Sequence, residues 1–207
     1  MTRVPGVDTR RKVLRVALEL FMSQGYNRTS LREIADRLGF SKAALYYHFK
    51  AKEDILQALA GNLLADLEDL MDRGRANPDR GPEDRLRFMQ DLLDVLLENR
   101  GVALLVAFEC KAIIPSTFGE RARDTFFTVR ELLMSASPNT AERVRVLAVI
   151  GIIQSVVFHM SDVPTEELRR LILPLMTSVL QGAPEEVSTR EILDTTRTTR
   201  EGTAIAS

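Results

Sequence analysis

The sequence predicts an all-α protein in two parts. A small N-terminal head of three helices is joined by a long fourth helix to a larger helical body. Three observations predict it. Apolar residues recur at helical spacing in segment after segment, and no stretch of useful length alternates as a strand would. Residues 30–52, SLREIADRLGFSKAALYYHFKAK, read as two short helices around a glycine turn. Charge is also divided along the chain. Residues 1–50 hold ten Lys/Arg against four Asp/Glu, a net +6, and the rest carries −7 within a total of −1. A basic head on an acidic body is the electrostatic footprint of a module that docks nucleic acid by one end.

Residues 30–52 carry the strongest local signals. Ser30 is an N-cap with Glu33 three residues on, the pattern of a capping box. Leu31, Ile34, Ala35 and Leu38 then form an apolar stripe, and Gly39 follows as a residue free to take the left-handed conformation that ends a helix. Phe40 is placed to fill the angle between the helices. Ser41 caps the second helix. Leu45 and Phe49 face the first helix, which leaves Lys42, Ala43, Ala44, Tyr46, Tyr47 and His48 on other faces. Helix, glycine turn, helix is the helix-turn-helix arrangement, whose second helix enters the DNA major groove. A hairpin buried in a bundle core is a poor fit to two tyrosines, a histidine and three lysines so close together. That set suits phosphates and base edges.

The stretch resembles the DNA-binding signature of the TetR family of bacterial transcriptional regulators. The resemblance runs from Ala17-Leu-Glu-Leu-Phe21 through Gly25-Tyr26, Thr29-Ser-Leu-Arg-Glu-Ile-Ala35, Leu38-Gly-Phe-Ser41 and Leu45-Tyr-Tyr-His-Phe49 to Lys52-Glu-Asp-Ile-Leu56. It covers roughly the first quarter of the chain. Past about Leu70 only the length and the all-helical texture match. By position in the motif, Lys42, Ala43 and Ala44 start the recognition helix, where side chains reach base edges. Lys42 is long enough to donate to guanine, and an alanine methyl suits a thymine methyl. The resemblance implies that Arg32 approaches a base or a phosphate. It also implies that Tyr46, His48 and Lys52 grip the backbone, with Thr29 and Tyr47 as further candidates.

The expected domains are 1–54, the helix-turn-helix DNA-binding domain; 55–182, a helical ligand-binding and dimerisation domain; and 183–207, a polar tail. After a loose arm over 1–7, a helix over 8–24 braces the head through Val13, Val16, Ala17, Leu20 and Phe21. The fourth helix starts near Ala51, where members of the family often have a capping serine. It carries an apolar stripe from Ile55 to Met71 that links head to body. A loop spans 73–82. Helices follow over 83–99, 101–114, 117–135, 140–160 and 165–181, and Pro174 is expected to kink the last by removing one hydrogen bond.

Composition narrows the function. The single Cys110 forbids an intrachain disulfide, and two histidines make a dedicated metal site improbable. No apolar run reaches the ~20 residues of a membrane span, and residues 1–8 lack an apolar signal region. No membrane partner and a cytoplasmic location are therefore expected. There is no Gly-rich phosphate loop and no Ser/His/Asp set; His159 with Glu109 is the only acid–base pair worth naming. Neither an enzyme nor a cofactor is expected.

The helices over 140–160 and 165–181 are apolar nearly all round, and a helix of that kind is buried. A second copy of the chain is the simplest cover, and the resemblance implies a homodimer through these two helices. Among the body helices, aromatic and polar residues gather as a candidate ligand set: Phe88, Phe108, Glu109, Phe126, Phe127, Gln154, Phe158 and His159. Such a mixture suits a small lipophilic or aromatic effector. Ordinary core packing, and for His159 a cap on its helix, are the competing roles. The leading reading is a dimeric repressor on a palindromic double-stranded DNA operator, released by that effector. The alternative is a ligand-independent activator or architectural DNA-binding protein.

Overall fold

Helix starts and stops fall where the capping chemistry puts them. The computed structural model describes residues 5–106 and 116–182, and every regular element among them is helical. In chain order these are α1 (Pro5–Gln24), α2 (Leu31–Leu38), α3 (Lys42–His48), α4 (Lys52–Arg75), α5 (Pro82–Glu98), α6 (Arg100–Leu104), α7 (Ser116–Leu133), α8 (Thr140–His159) and α9 (Thr165–Gln181). The all-α fold is as expected. Some boundaries move, among them the start of α1, at Pro5 and not at residue 8, because proline suits the first helical turn, where its missing N–H is not needed. The helix expected over 101–114 is seen as far as residue 106. Its remainder, with Phe108, Glu109 and Cys110, lies outside the described residues, as do Arg3 and the tail 183–207.

The turn between α2 and α3 shows how the sequence sets geometry. Ser30 Oγ accepts from the Glu33 amide at 3.2 Å, while Glu33 Oε2 accepts from the Ser30 amide at 2.7 Å. These two bonds satisfy donors that a bare helix start would leave open. At the other end Gly39 has φ +66°. The Phe40 amide donates back to the Ala35 carbonyl at 2.9 Å and the Gly39 amide to Asp36 at 3.2 Å. This pair of bonds is the Schellman closure. Ser41 then caps α3 by accepting from the Ala44 amide at 3.2 Å. Ala51 has no side chain with which to cap α4. Asp54 Oδ2 compensates by accepting from the Lys50 and Ala51 amides, both at 2.9 Å.

Two apolar cores result. The head core joins Val13, Ala17 and Phe21 of α1, Ile34 of α2, Leu45 and Phe49 around α3, and Ile55, Leu56 and Leu59 of α4. The body core joins Leu70 and Met71 of α4 with α5, α7, α8 and α9. One helix thus belongs to both cores, and Leu67 packs against each. Helix α6 is the second bridge: Val102 and Leu105 are buried in the head core. A Cβ placed on Gly101 would lie 3.6 Å from Met22 Cγ of α1, so α6 rests directly on the bracing helix. From the same helix, Arg100 donates to the carbonyls of Met160 at 3.1 Å and Val163 at 3.0 Å, between α8 and α9. Pro174 sits on the exposed side of α9, which continues through it to Gln181; the carbonyl deprived of its bond can turn to water.

Gly39 separates conformational from steric cost. Nothing lies within 4 Å of a Cβ built there, yet its φ is left-handed. Gly39→Ala is therefore expected to lower stability by about 1 kcal/mol through backbone strain alone, with Gly39→Asn costing less. Urea unfolding of the three proteins checks this; equal midpoints for glycine and alanine would refute it.

Candidate nucleic-acid interface and candidate ligand cavity

The head presents α3 edge-outward. Leu45 and Phe49 are fully packed, whereas Lys42, Ala43 and Ala44 are exposed and Tyr47 is 80% exposed. Side chains with base-reading and phosphate-gripping chemistry thus lie on the free side of a helix whose other side is fixed. Lys42 Nζ lies 5.4 Å from the centre of the Tyr46 ring, one turn on. The Tyr47 ring meets the His48 ring edge-on at 5.2 Å. Arg32 projects from α2 with 84% of its side chain exposed, 3.7 Å from Asp36.

Two expected contacts take other roles. Thr29 is only 2% exposed, and its hydroxyl donates to the Gly25 carbonyl at 3.0 Å while accepting from Gln24 at 3.2 Å. It holds the turn before α2. Lys52 is half-buried. Its Nζ donates to the carbonyls of Tyr26 at 2.7 Å and Thr29 at 3.0 Å, and lies 4.1 Å from the Tyr26 ring centre. An ammonium has three donors, so one remains for a phosphate. The Tyr26 hydroxyl completes the knot by donating to Glu53 at 3.2 Å. The Glu33 carboxyl is held below the usual carboxylate range, first by the hydrogen bond from the Ser30 side chain and then by the Ser30 amide, against a smaller opposing effect of desolvation.

Sequence reasoning missed Arg10. From α1 its guanidinium lies 4.4 Å over the Phe49 ring and donates to the His48 carbonyl at 3.5 Å, gripping the end of α3. The two partners are 38 residues apart, and no local pattern announces the pairing.

In the body, a cavity of about 270 Å³ opens between α4, α5, α6, α7 and α8. Of the expected ligand residues, Phe126, Gln154 and Phe158 line it. The other described ones do not line it. Phe88 is buried in the body core beside Gly74. Phe127 is 44% exposed and lies under the Arg130 guanidinium at 5.4 Å. His159 is exposed, its Nδ1 3.0 Å from the Ser155 carbonyl, the role of a helix-end side chain. Most of the lining is aliphatic, including Leu67, Leu92, Ala103, Ile150 and Val157. Among the described residues no group of three His, Cys, Asp or Glu is placed to hold a metal ion, and no helix is long and apolar enough to cross a membrane.

The family model for bacterial regulatory proteins, tetR family, matches residues 13–59. The chain is 34% identical over 70 residues to the HTH-type transcriptional repressor BepR of Brucella suis biovar 1, covering 34% of each chain. It is 43% identical over 58 residues to the HTH-type transcriptional regulator AcrR of Shigella flexneri, covering 28% of this chain and 27% of that one. These matches span about a third or less of the relatives' own length. The whole fold is similar to that of the TetR family transcriptional regulator PfmR of Thermus thermophilus. That comparison has a TM-score of 0.66 at 23% identity, covering 89% of this chain and 100% of that one.

Lys52 tests the assignment of the knot. Lys52→Ala is expected to destabilise the protein by about 2 kcal/mol in the absence of DNA, since two buried carbonyls lose a charged donor. Chemical unfolding measures it. A variant as stable as its parent would mean that the lysine serves only phosphate.

Proposed function

Because the chain belongs to the TetR family of bacterial transcriptional regulators, we propose that it works as a homodimeric repressor on a palindromic operator, released when a small lipophilic molecule fills the body cavity. The observation that carries the reading is the division of α3 into a buried side and a free side rich in Lys, Ala, Tyr and His. Lys42, Ala43 and Ala44 are the proposed base readers. Arg32, Tyr46, Tyr47, His48 and the remaining donor of Lys52 are the proposed grips on phosphate. Repressors and an activator both stand among the relatives, and the proposal takes the repressors' sign.

The dimer is supported by what α8 and α9 leave uncovered. Val144 and Leu147 on α8 are 60% and 50% exposed, and Leu171 and Leu175 on α9 are 59% and 52% exposed. At helical spacing these make one stripe per helix, with half-exposed Gly151 along it. A contiguous apolar face of this kind marks an association surface. Two copies packed through it would form a four-helix seam with a head at each end. The heads must then meet major grooves a whole number of turns apart, ~34 Å per turn.

Release would follow from where the cavity sits. Its wall includes Leu67 of α4 and Ala103 of α6, the two helices that also enter the head core. A ligand that pushes either helix moves the head relative to the seam. By linkage it must bind more tightly to the form that fits DNA poorly. A ligand-independent activator or architectural protein is the competing reading; a reporter placed under the operator separates them by the sign of the response.

Two experiments test the proposal. Lys42→Ala should cost about 1–3 kcal/mol per half-site on the cognate operator and relax base preference, leaving binding to random duplex nearly unchanged. Equal losses on both duplexes would make Lys42 a phosphate contact. Gly151→Arg should halve the mass seen by light scattering, from twice 23.2 kDa to 23.2 kDa. Nothing lies within 4 Å of a Cβ at Gly151, so the protomer should stay folded. A parent protein that is already monomeric would end the dimer proposal.

A further inference from the structure

Resting on that reading of the cavity, we infer that its effector is an uncharged, largely aromatic or aliphatic molecule with one hydroxyl, carbonyl or amide group, and that Gln154 is the residue that holds this group. The described lining is made of Leu, Ile, Val, Ala, Phe, Thr and Gln. None of the described lining residues is charged, so a carboxylate or an ammonium buried against this wall would be desolvated without compensation from it. Two lining side chains have hydrogen-bonding atoms. Thr125 is engaged, its hydroxyl donating to the Arg121 carbonyl at 2.9 Å. The Gln154 side chain makes no hydrogen bond to a described residue, and its amide offers both a donor and an acceptor to the cavity.

The position of Gln154 on α8 strengthens the inference. It is exposed and lies between the buried cavity wall of Ile150, Ile153 and Val157 and the free apolar stripe of Leu147 and Gly151. Gln154 therefore stands at the mouth of the cavity, beside the proposed seam. A second copy over the stripe would shield this amide from water. A polar group on the ligand would then supply the partner that water supplies to the free protomer. Phe126 and Phe158 also line the cavity and favour a flat ring between mouth and wall.

Three probes that share one ring system test this: naphthalene, 2-naphthol and 2-naphthoate, each titrated into the full-length protein at pH 7 and followed by probe fluorescence. The native protein should bind 2-naphthol about five- to tenfold more tightly than naphthalene, the range of one net hydrogen bond, and 2-naphthoate least well. In Gln154→Leu the gap between naphthol and naphthalene should shrink to about twofold or less, with naphthalene bound at least as tightly as before. Its unfolding midpoint should match the parent's, because the side chain is exposed and makes no hydrogen bond to a described residue; if it does not, Gln154→Asn, which withdraws the amide by one methylene, gives the same reading. A naphthol preference that survives in Gln154→Leu, or tightest binding of naphthoate, overturns the inference while leaving the cavity a binding site. No binding of any probe overturns both.

Discussion

The molecule depends on the way the first turn of α4 is tied to the head. Lys52 Nζ holds two carbonyls from the turn between α1 and α2, lies against the Tyr26 ring, and is followed by Glu53, which accepts from the Tyr26 hydroxyl. Tyr26 in turn packs on Phe21 with ring centres 5.0 Å apart. Charged donors on buried carbonyls are among the stronger hydrogen bonds a protein makes. The start of α4 is thereby fastened to the three helices that carry the reading surface. At its other end the same helix contributes Leu70 and Met71 to the body core. On the proposed reading, a displacement of α4 in the body would be passed to the head through these contacts.

Much of this was legible in the sequence because it is local. Ser30, Glu33, Gly39 and Ser41 specify the helix-turn-helix within twelve residues, and each acts on backbone groups three to five positions away. The exposed stripe on α8 and α9 was legible as an excess of apolar residues over what one buried face needs. Long-range pairings were not. Lys52 reads as a phosphate grip from its place in the motif, and only the packed head shows that two of its donors are spent on Tyr26 and Thr29. The bonds of Thr29 to Gln24 and Gly25 were hidden for the same reason: nothing near it in the sequence announces them.

The cavity was half legible, and the cause is chemical. Aromatic residues draw the eye as ligand contacts, yet Phe88 fills the core and Phe127 faces outward. The lining is mostly Leu, Ile and Val, which are indistinguishable in sequence from ordinary core. What separates a lining residue from a packed one is a void on one side of it. That property belongs to how five helices splay and to no single segment.

Head, joint and cavity can be set against one another energetically. A ligand of the cavity touches Leu67 on α4 and Ala103 on α6, and both helices leave the cavity to enter the head core. Helix α6 reaches that core through Val102, with Gly101 seated against Leu18 and Met22 of α1, while Arg100 holds the α8–α9 turn. Two routes therefore run from one void to the same rigid head, one through the joint and one through the brace. On the proposed dimeric reading, the head is a single packed unit that need not change shape to lose an operator; it need only be carried out of register with the head of a second copy. Regulatory couplings of about 1–3 kcal/mol are typical. Burying a ligand ring in an apolar cavity supplies apolar contact of at least that scale, so the ligand can shift the balance provided that a modest share of its contact energy differs between the two arrangements. The basic head and acidic body add direction to this. Residues 1–50 carry a net +6 and the rest of the chain −7, so a nucleic acid is attracted to the first part of the chain and repelled by the rest.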